Sequence, residues 1–220
     1  TAAYKAEYAV AYPLLRAAQI FRTCALPRLM PETARALRAE ARGIVEQAGI
    51  PGPVTEIFLS AVTGRGYISA LPDAVLPAQK FIHVQGGSAA QALLAQLAAY
   101  ARASGVRAVI CRAPQDPQQV EHVIFPGVCA YISGAYANAR VTLCAETLDA
   151  DACGPAAPAH PAQADYNAQA EQAEKAAYTR LAAAKALHDE LEALYHPHID
   201  FNTADRLLQT HLAGLEARAS

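Results

Sequence analysis

At 220 residues, the chain is long enough to bury a sizeable core and sits near the boundary between one domain and two. Its 18 Lys and Arg against 20 Asp and Glu leave it slightly acidic, and no basic cluster marks a nucleic-acid footprint or a membrane-surface patch. No apolar run reaches the length of a membrane span, and no stretch reads as a signal peptide.

Alanine is abundant and Trp is absent, which suits helices packed through small side chains. The five cysteines, Cys24, Cys111, Cys129, Cys144 and Cys153, are odd in number and form no C-x-x-C pair, so they read as reduced thiols of a cytoplasmic protein. The chain opens on Thr1 rather than Met and is read as part of a longer or processed protein.

From Tyr4 to Phe21, Tyr8, Tyr12, Leu15 and Gln19 recur at helical spacing, and Pro27 and Pro31 end that helix. A second helix is expected from Pro31, with Glu32 near the positive end of its dipole, to Gly49. Together residues 1–49 read as a helical hairpin. Val54 to Leu71 alternates on both sides of Gly64-Arg65-Gly66, the pattern of a strand-turn-strand edge. LPDAVLP then connects to the most informative stretch, Lys80 to Pro114.

That stretch reads as strand, glycine turn, helix, strand. FIHV is a short apolar strand broken by Gly86-Gly87, and Ser88 can cap the helix that follows. Leu93, Leu94, Leu97 and Tyr100 give the helix one apolar stripe, Gly105 closes it, and VRAVIC is a second buried strand. A glycine turn opening a helix in a βαβ unit is where phosphate-binding amides sit, so Gly86, Gly87 and Ser88 are the candidate anion-binding residues. A working G-x-x-x-x-G-K-[ST] loop also needs its Lys and its hydroxyl, yet SAAQALL follows Gly87 and no Lys occurs between Phe81 and Glu174. Lys80 and Arg112 stand at strand edges, and nothing in their spacing favours them as substitutes.

Further on, Asp116-Pro117 opens a turn, QQVEHVIF is ambiguous, VCAYIS is a third buried strand ending at Gly134, and RVTLCAETL is one more strand. Residues 149–164, with Pro155, Pro158 and Pro161, read as a surface linker. Helices are expected over Asp165–Tyr195 and about Asn202–Ala217, a second hairpin spanning 165–217. In it, His188, Asp189, Glu192, His196 and His198 invite a metal reading, but they fall at a hairpin tip where such side chains are ordinarily solvated, and no metal site is assigned. No G-x-S-x-G elbow or other nucleophile arrangement occurs.

The two hairpins echo each other. AYPLLRAAQIF from Ala11 lines up with AYTRLAAAKAL from Ala177, and Thr33-Ala34 with Leu37 answers Thr203-Ala204 with Leu207. Taken as a duplication, the echo makes 1–49 the remnant of a preceding repeat whose α/β core lies upstream.

The order GRGYIS, LPD, strand, glycine turn, helix, strand, then DP, VIFPGVCAYISG and AAAKALHDELEALYHPHIDF resembles a family of bacterial tandem P-loop ATPase-like proteins. The resemblance includes Ala184, Lys185, Leu187, His188, Asp189 and Glu190 ahead of Tyr195 and Asp200-Phe201. It implies an α/β, P-loop NTPase-like fold with a mostly parallel sheet flanked by helices and α-helical hairpins, residues 50–220 forming the second domain. This chain departs from the family at the chemistry: its Walker A position reads Gly86, Gly87, Ser88, Ala89, Ala90, Gln91 and Ala92, and Ser133 stands where an acid would close the third strand.

The expectation is therefore a scaffold with degenerate Walker A and Walker B positions, not catalytic as an ATPase, acting as a structural or regulatory interaction module. It has no cofactor beyond weak ATP or anion binding, and it engages a protein partner or itself rather than nucleic acid or membrane. The alternative is a nucleotide-binding ATPase whose active P-loop lies in an upstream domain; a hairpin-mediated assembly scaffold is a third.

Overall fold

A computed structural model describes residues 2–71, 80–133, 146–155, 157–158 and 160–219, with side chains to residue 215 in the last helix. Most of the LPDAVLP connector, the first part of RVTLCAETL, Gly134 and Cys144 lie outside the described residues.

Helix α1 (Ala2–Ala25) buries Ala11, Leu15, Ala18 and Ala25, a stripe at spacings of three, four and seven. Helix α2 (Pro31–Ala48) begins with Pro31 and ends at Gly49, whose φ of 53° is left-handed and whose amide donates to the Val45 carbonyl at 3.2 Å. Its buried side is Thr33, Leu37, Ala41, Ile44, Val45 and Ala48.

Strands β1 (Val54–Ile57), β4 (Lys80–Gln85), β5 (Ala108–Arg112), β6 (Val120–Phe125), β7 (Cys129–Ser133) and β8 (Glu146–Asp149) form one six-stranded sheet in the order β1-β5-β6-β7-β4-β8. Strands β2 (Ser60–Thr63) and β3 (Gly66–Ser69) make a separate hairpin around Gly64-Arg65. Helix α3 (Gly87–Ser104) links β4 to β5, with Gly105 as its left-handed cap at φ 63°.

The sheet is mixed: β1 runs parallel to β5 and β4 parallel to both β7 and β8, while β6 opposes β5 and β7. Loop length explains β6. It is entered through the short Asp116 turn and left through Pro126-Gly127, where Gly127 has φ 79° and the Val128 amide donates to the Phe125 carbonyl at 3.0 Å. Connections that short join only antiparallel neighbours; a parallel crossover needs a dozen residues or more. The ambiguous QQVEHVIF is thus a fully buried strand. The β4-α3-β5 unit is a crossover whose strands are separated by β7 and β6.

One face of the sheet, with Ile82, Val84, Ile110, Val123, Phe125 and Tyr131, packs under α3, and α2 packs on α3 in turn. The opposite face carries Phe81, Cys111, Ile124, Ala130 and Ile132 with Leu71. Helix α4 (Gln163–Tyr195) lies antiparallel along α1: Glu7 pairs with Arg180 at 3.2 Å and Arg22 with Glu174 at 2.6 Å. Helix α5 (Phe201–Ala219) follows a short His196–His198 turn, and none of its described side chains lies in the core. The consecutive helices therefore find their main partners elsewhere, α1 on α4 and α2 on α3. Part of the stretch expected to be a surface linker is also packed: Ala150 is fully buried in the 3₁₀ turn Ala150–Cys153, beside α3 and β4.

Candidate functional site

In open α/β sheets, ligands gather at the carboxyl ends of parallel strands. Here β4, β7 and β8 are parallel neighbours, so Gln85, Ser133 and Asp149 end at one edge, with the glycine turn beside them. Gly86 caps α3 at φ 108°, a conformation that favours glycine, and its carbonyl accepts from the Ala90 amide at 3.1 Å. No side chain caps this helix. Ser88, expected to cap it, instead donates its hydroxyl to the Pro27 carbonyl at 2.6 Å.

Two neighbours crowd the turn. Leu26 would lie 3.3 Å from a methyl group placed on Gly87, and the Asp151 carboxylate would lie 3.0 Å from one placed on Gly86. Asp149 holds that segment by accepting from the Asp151 amide at 3.0 Å. The α3 dipole favours negative charge at this end, and the space beside it already has a carboxylate.

The cations considered as substitutes are committed elsewhere. Lys80, at the far end of β4, pairs with Glu146, and Arg112, on a strand with two others between it and β4, pairs with Glu56 at 2.8 Å. Arg28, His160, Ser88 and Gln91 line a cleft of about 1130 Å³ next to the turn.

A second polar constellation sits under the β2–β3 hairpin. The register between β5 and β6 slips at Cys111/Arg112, so that Cys111 faces His122 and Arg112 faces Val120, leaving Glu121 as the extra residue of a β-bulge. Glu121 and His122 are both fully buried. Tyr67 donates to Ser60 at 2.6 Å, Ser60 donates to Glu121 Oε1 at 3.0 Å, and the Ser133 amide donates to His122 Nδ1 at 3.3 Å. Glu121 Oε2 and His122 Nε2 have no hydrogen-bond partner.

Burial raises the Glu121 carboxyl to about 7, against the pull of the Ser60 hydrogen bond, and lowers the His122 imidazole to about 4. Between about pH 4 and pH 7, where burial keeps the acid largely protonated and the imidazole neutral, the 3.7 Å approach of His122 Nε2 to Glu121 Oε1 is a contact between neutral groups rather than a salt bridge. Ser60 opens onto a groove of about 880 Å³ between α1, β2 and the Asp116 turn, with Arg16, Gln19 and Gln115 in its walls. Cys111, opposite His122, is no nucleophile: burial holds its thiol up at about 12.

Sequence reasoning passed over Glu121 and His122. Their only local signal is two adjacent polar residues inside the apolar run VEHVIF, and the bulge that turns them inward is a property of the pairing with β5.

Among the His and acidic residues near the end of α4, the structure brings together His188, Asp189 and Glu192, whose ligand atoms lie within 4.8 Å of one another. His196 and His198 are not among them. The Lys185 ammonium sits 2.7 Å from both Asp189 oxygens, so a metal ion there would compete with a resident positive charge. Comparison of the chain with protein-family models, curated proteins and solved structures finds no match.

Proposed function

We propose that this chain is a P-loop NTPase-like scaffold with degenerate Walker A and Walker B positions, acting as a structural or regulatory interaction module that does not hydrolyse nucleotide. The observation that carries the reading is Asp151. Its carboxylate stands against Gly86, where an incoming phosphate would need a cation. A triphosphate brought to this turn would meet like charge at close range, with no Lys from the helix to offset it. The Ser88 hydroxyl, which would otherwise face an anion at the turn, is engaged with Pro27. The strand order supports the scaffold part of the reading: the strand carrying the glycine turn is flanked on both sides by parallel strands, as at a ligand-binding edge.

Calorimetric titration of the full chain with ATP and magnesium, followed by a phosphate-release assay, tests it. The expected result is no saturable heat at up to millimolar nucleotide and no phosphate release. Micromolar binding with turnover would overturn the proposal.

A further inference from the structure

The groove of about 880 Å³ between α1, β2 and the Asp116 turn has the volume of a small-molecule site, and no residue of the glycine turn lines it. Tyr12, Arg16, Gln19 and Ile20 stand along one side of α1 at spacings of four, three and one and form its first wall. Leu15 and Val62, which also pack between α1 and α4, line its inner side. Tyr12, Ile20 and Phe58 border it while 61%, 54% and 57% exposed, so three large apolar side chains gather around one concave surface. An apolar rim around a concavity is the form of a ligand-binding groove.

The polar groups in the walls say what the ligand carries. Among the described residues, no hydrogen bond or ion pair engages the side chains of Arg16, Gln19 or Gln115, whereas Arg22, further along the same helix, is held by Glu174 at 2.6 Å. Gln115, in the turn across the groove from α1, buries its Oε1 without a partner, so its amide nitrogen is the end left for the groove. The guanidinium of one wall and the amide N–H of the other are donors, and neither has an acceptor. A carboxylate offers two oxygens, and a planar guanidinium takes a carboxylate in paired hydrogen bonds.

Charge narrows the class further. Among the described residues, Arg16 is the one cation lining the groove and Asp116 the one acid, with Asp116 Oδ1 already accepting from the Gln118 amide at 3.1 Å. The Glu121 carboxyl, behind Ser60, is largely protonated below about pH 7 and adds no charge there. One guanidinium, with an acid in the same groove, can hold a single negative charge but leaves a doubly charged group undercompensated.

We propose that this groove binds a small amphipathic monocarboxylate, its carboxylate between Arg16 and Gln115 and its apolar body against Leu15, Ile20, Phe58 and Val62. The site goes beyond the interaction-module reading and does not depend on it. Nucleotide titration reads only the glycine turn, so the two can fail separately.

Calorimetric titration of the full chain with octanoate at about pH 6 tests it, with octanol and octylamine as the neutral and cationic forms of the same chain. Octanoate should bind saturably at about 1 mM or below, and both controls at least about tenfold more weakly. Arg16→Gln should weaken octanoate at least about tenfold while leaving the urea midpoint unchanged, since no contact that holds the fold is lost. Phe58→Ser should weaken octanoate as well, and Asp116→Asn, which can still accept from the Gln118 amide, should tighten it.

Absence of saturable heat up to about 10 mM octanoate overturns the proposal. So does octylamine binding as tightly as octanoate, which would make Asp116 the anchoring charge. An Arg16→Gln chain that keeps the parent affinity also overturns it, by placing the ligand on another apolar surface, such as the exposed leucines of α5.

Discussion

Glu121 and His122 put two titratable groups in the same dry space, and burial pushes them in opposite directions. The Glu121 carboxyl titrates at about 7 in the folded chain against 4.5 when unfolded, so its contribution is complete below 4.5 and declines as pH rises to 7. The His122 imidazole titrates at about 4 against 6.5, so its contribution is complete above 6.5 and declines as pH falls to 4. Between 4.5 and 6.5 the two slopes oppose each other, and these groups together leave stability nearly flat. Glu121→Gln removes one slope. Relative to the parent, the variant should gain on the order of 3 kcal/mol between pH 4.5 and pH 7, because a tenfold change in proton affinity on folding is worth about 1.4 kcal/mol. Urea unfolding of both proteins across that range measures the difference. A gap that does not change with pH would mean that Glu121 is ionised in the folded chain.

The β2–β3 hairpin is held against α4 at its turn. A methyl group on Gly64 would come 2.7 Å from the Cα of Ala182, so the turn rests on the backbone of the helix and has no room for a side chain. Gly66, in the same turn, has φ 97° and open space around it, so its requirement is conformational instead. Gly64→Ala should therefore lift the hairpin from α4 and cost about 1–3 kcal/mol, the range for overpacking a filled site. Arg65→Ala, with its side chain directed to solvent, should stay within about 0.5 kcal/mol. Denaturant midpoints for the two variants separate them, and equal midpoints would refute the packing argument.

The sequence carried half of this. Gly64-Arg65-Gly66 announced a turn, just as Gly49 and Gly105 announced helix ends, because backbone conformation is decided by neighbours in the chain. That Gly64 must be small for the sake of Ala182, or that Gly86 must be small for Asp151, depends on residues more than sixty positions away. The same division runs through the candidate site. Gly86, Gly87 and Ser88 were legible as a turn into a helix, whereas the Pro27 carbonyl and the Asp151 carboxylate that occupy its surroundings were not. Strand β6 was ambiguous for a related reason: a strand buried on both faces has no alternation to read, and its direction follows from the two short loops beside it.

Among the described residues, α1 and α4 make the most extensive pairing of two elements, which connects the first helix to the last third of the sequence and carries the hairpin on one side through Val62. Its packed residues exclude α5: among the described residues no buried side chain belongs to that helix, and its start is organised locally by Asp200, which accepts from the Thr203 amide at 3.0 Å and from the Thr203 hydroxyl at 2.6 Å. A capped helix without a partner forms only weakly in water, since most helical stability in proteins comes from packing an apolar side. Removing residues 196–220 should therefore leave the urea midpoint of the remaining chain unchanged within about 0.5 kcal/mol, the scale of a surface change. Removing α1 instead would uncover Ala177, Leu181 and Ala184 and should lower the midpoint by several kcal/mol, as loss of a packed helix face does. A midpoint that drops equally for both deletions would place α5 among the elements that hold the chain together.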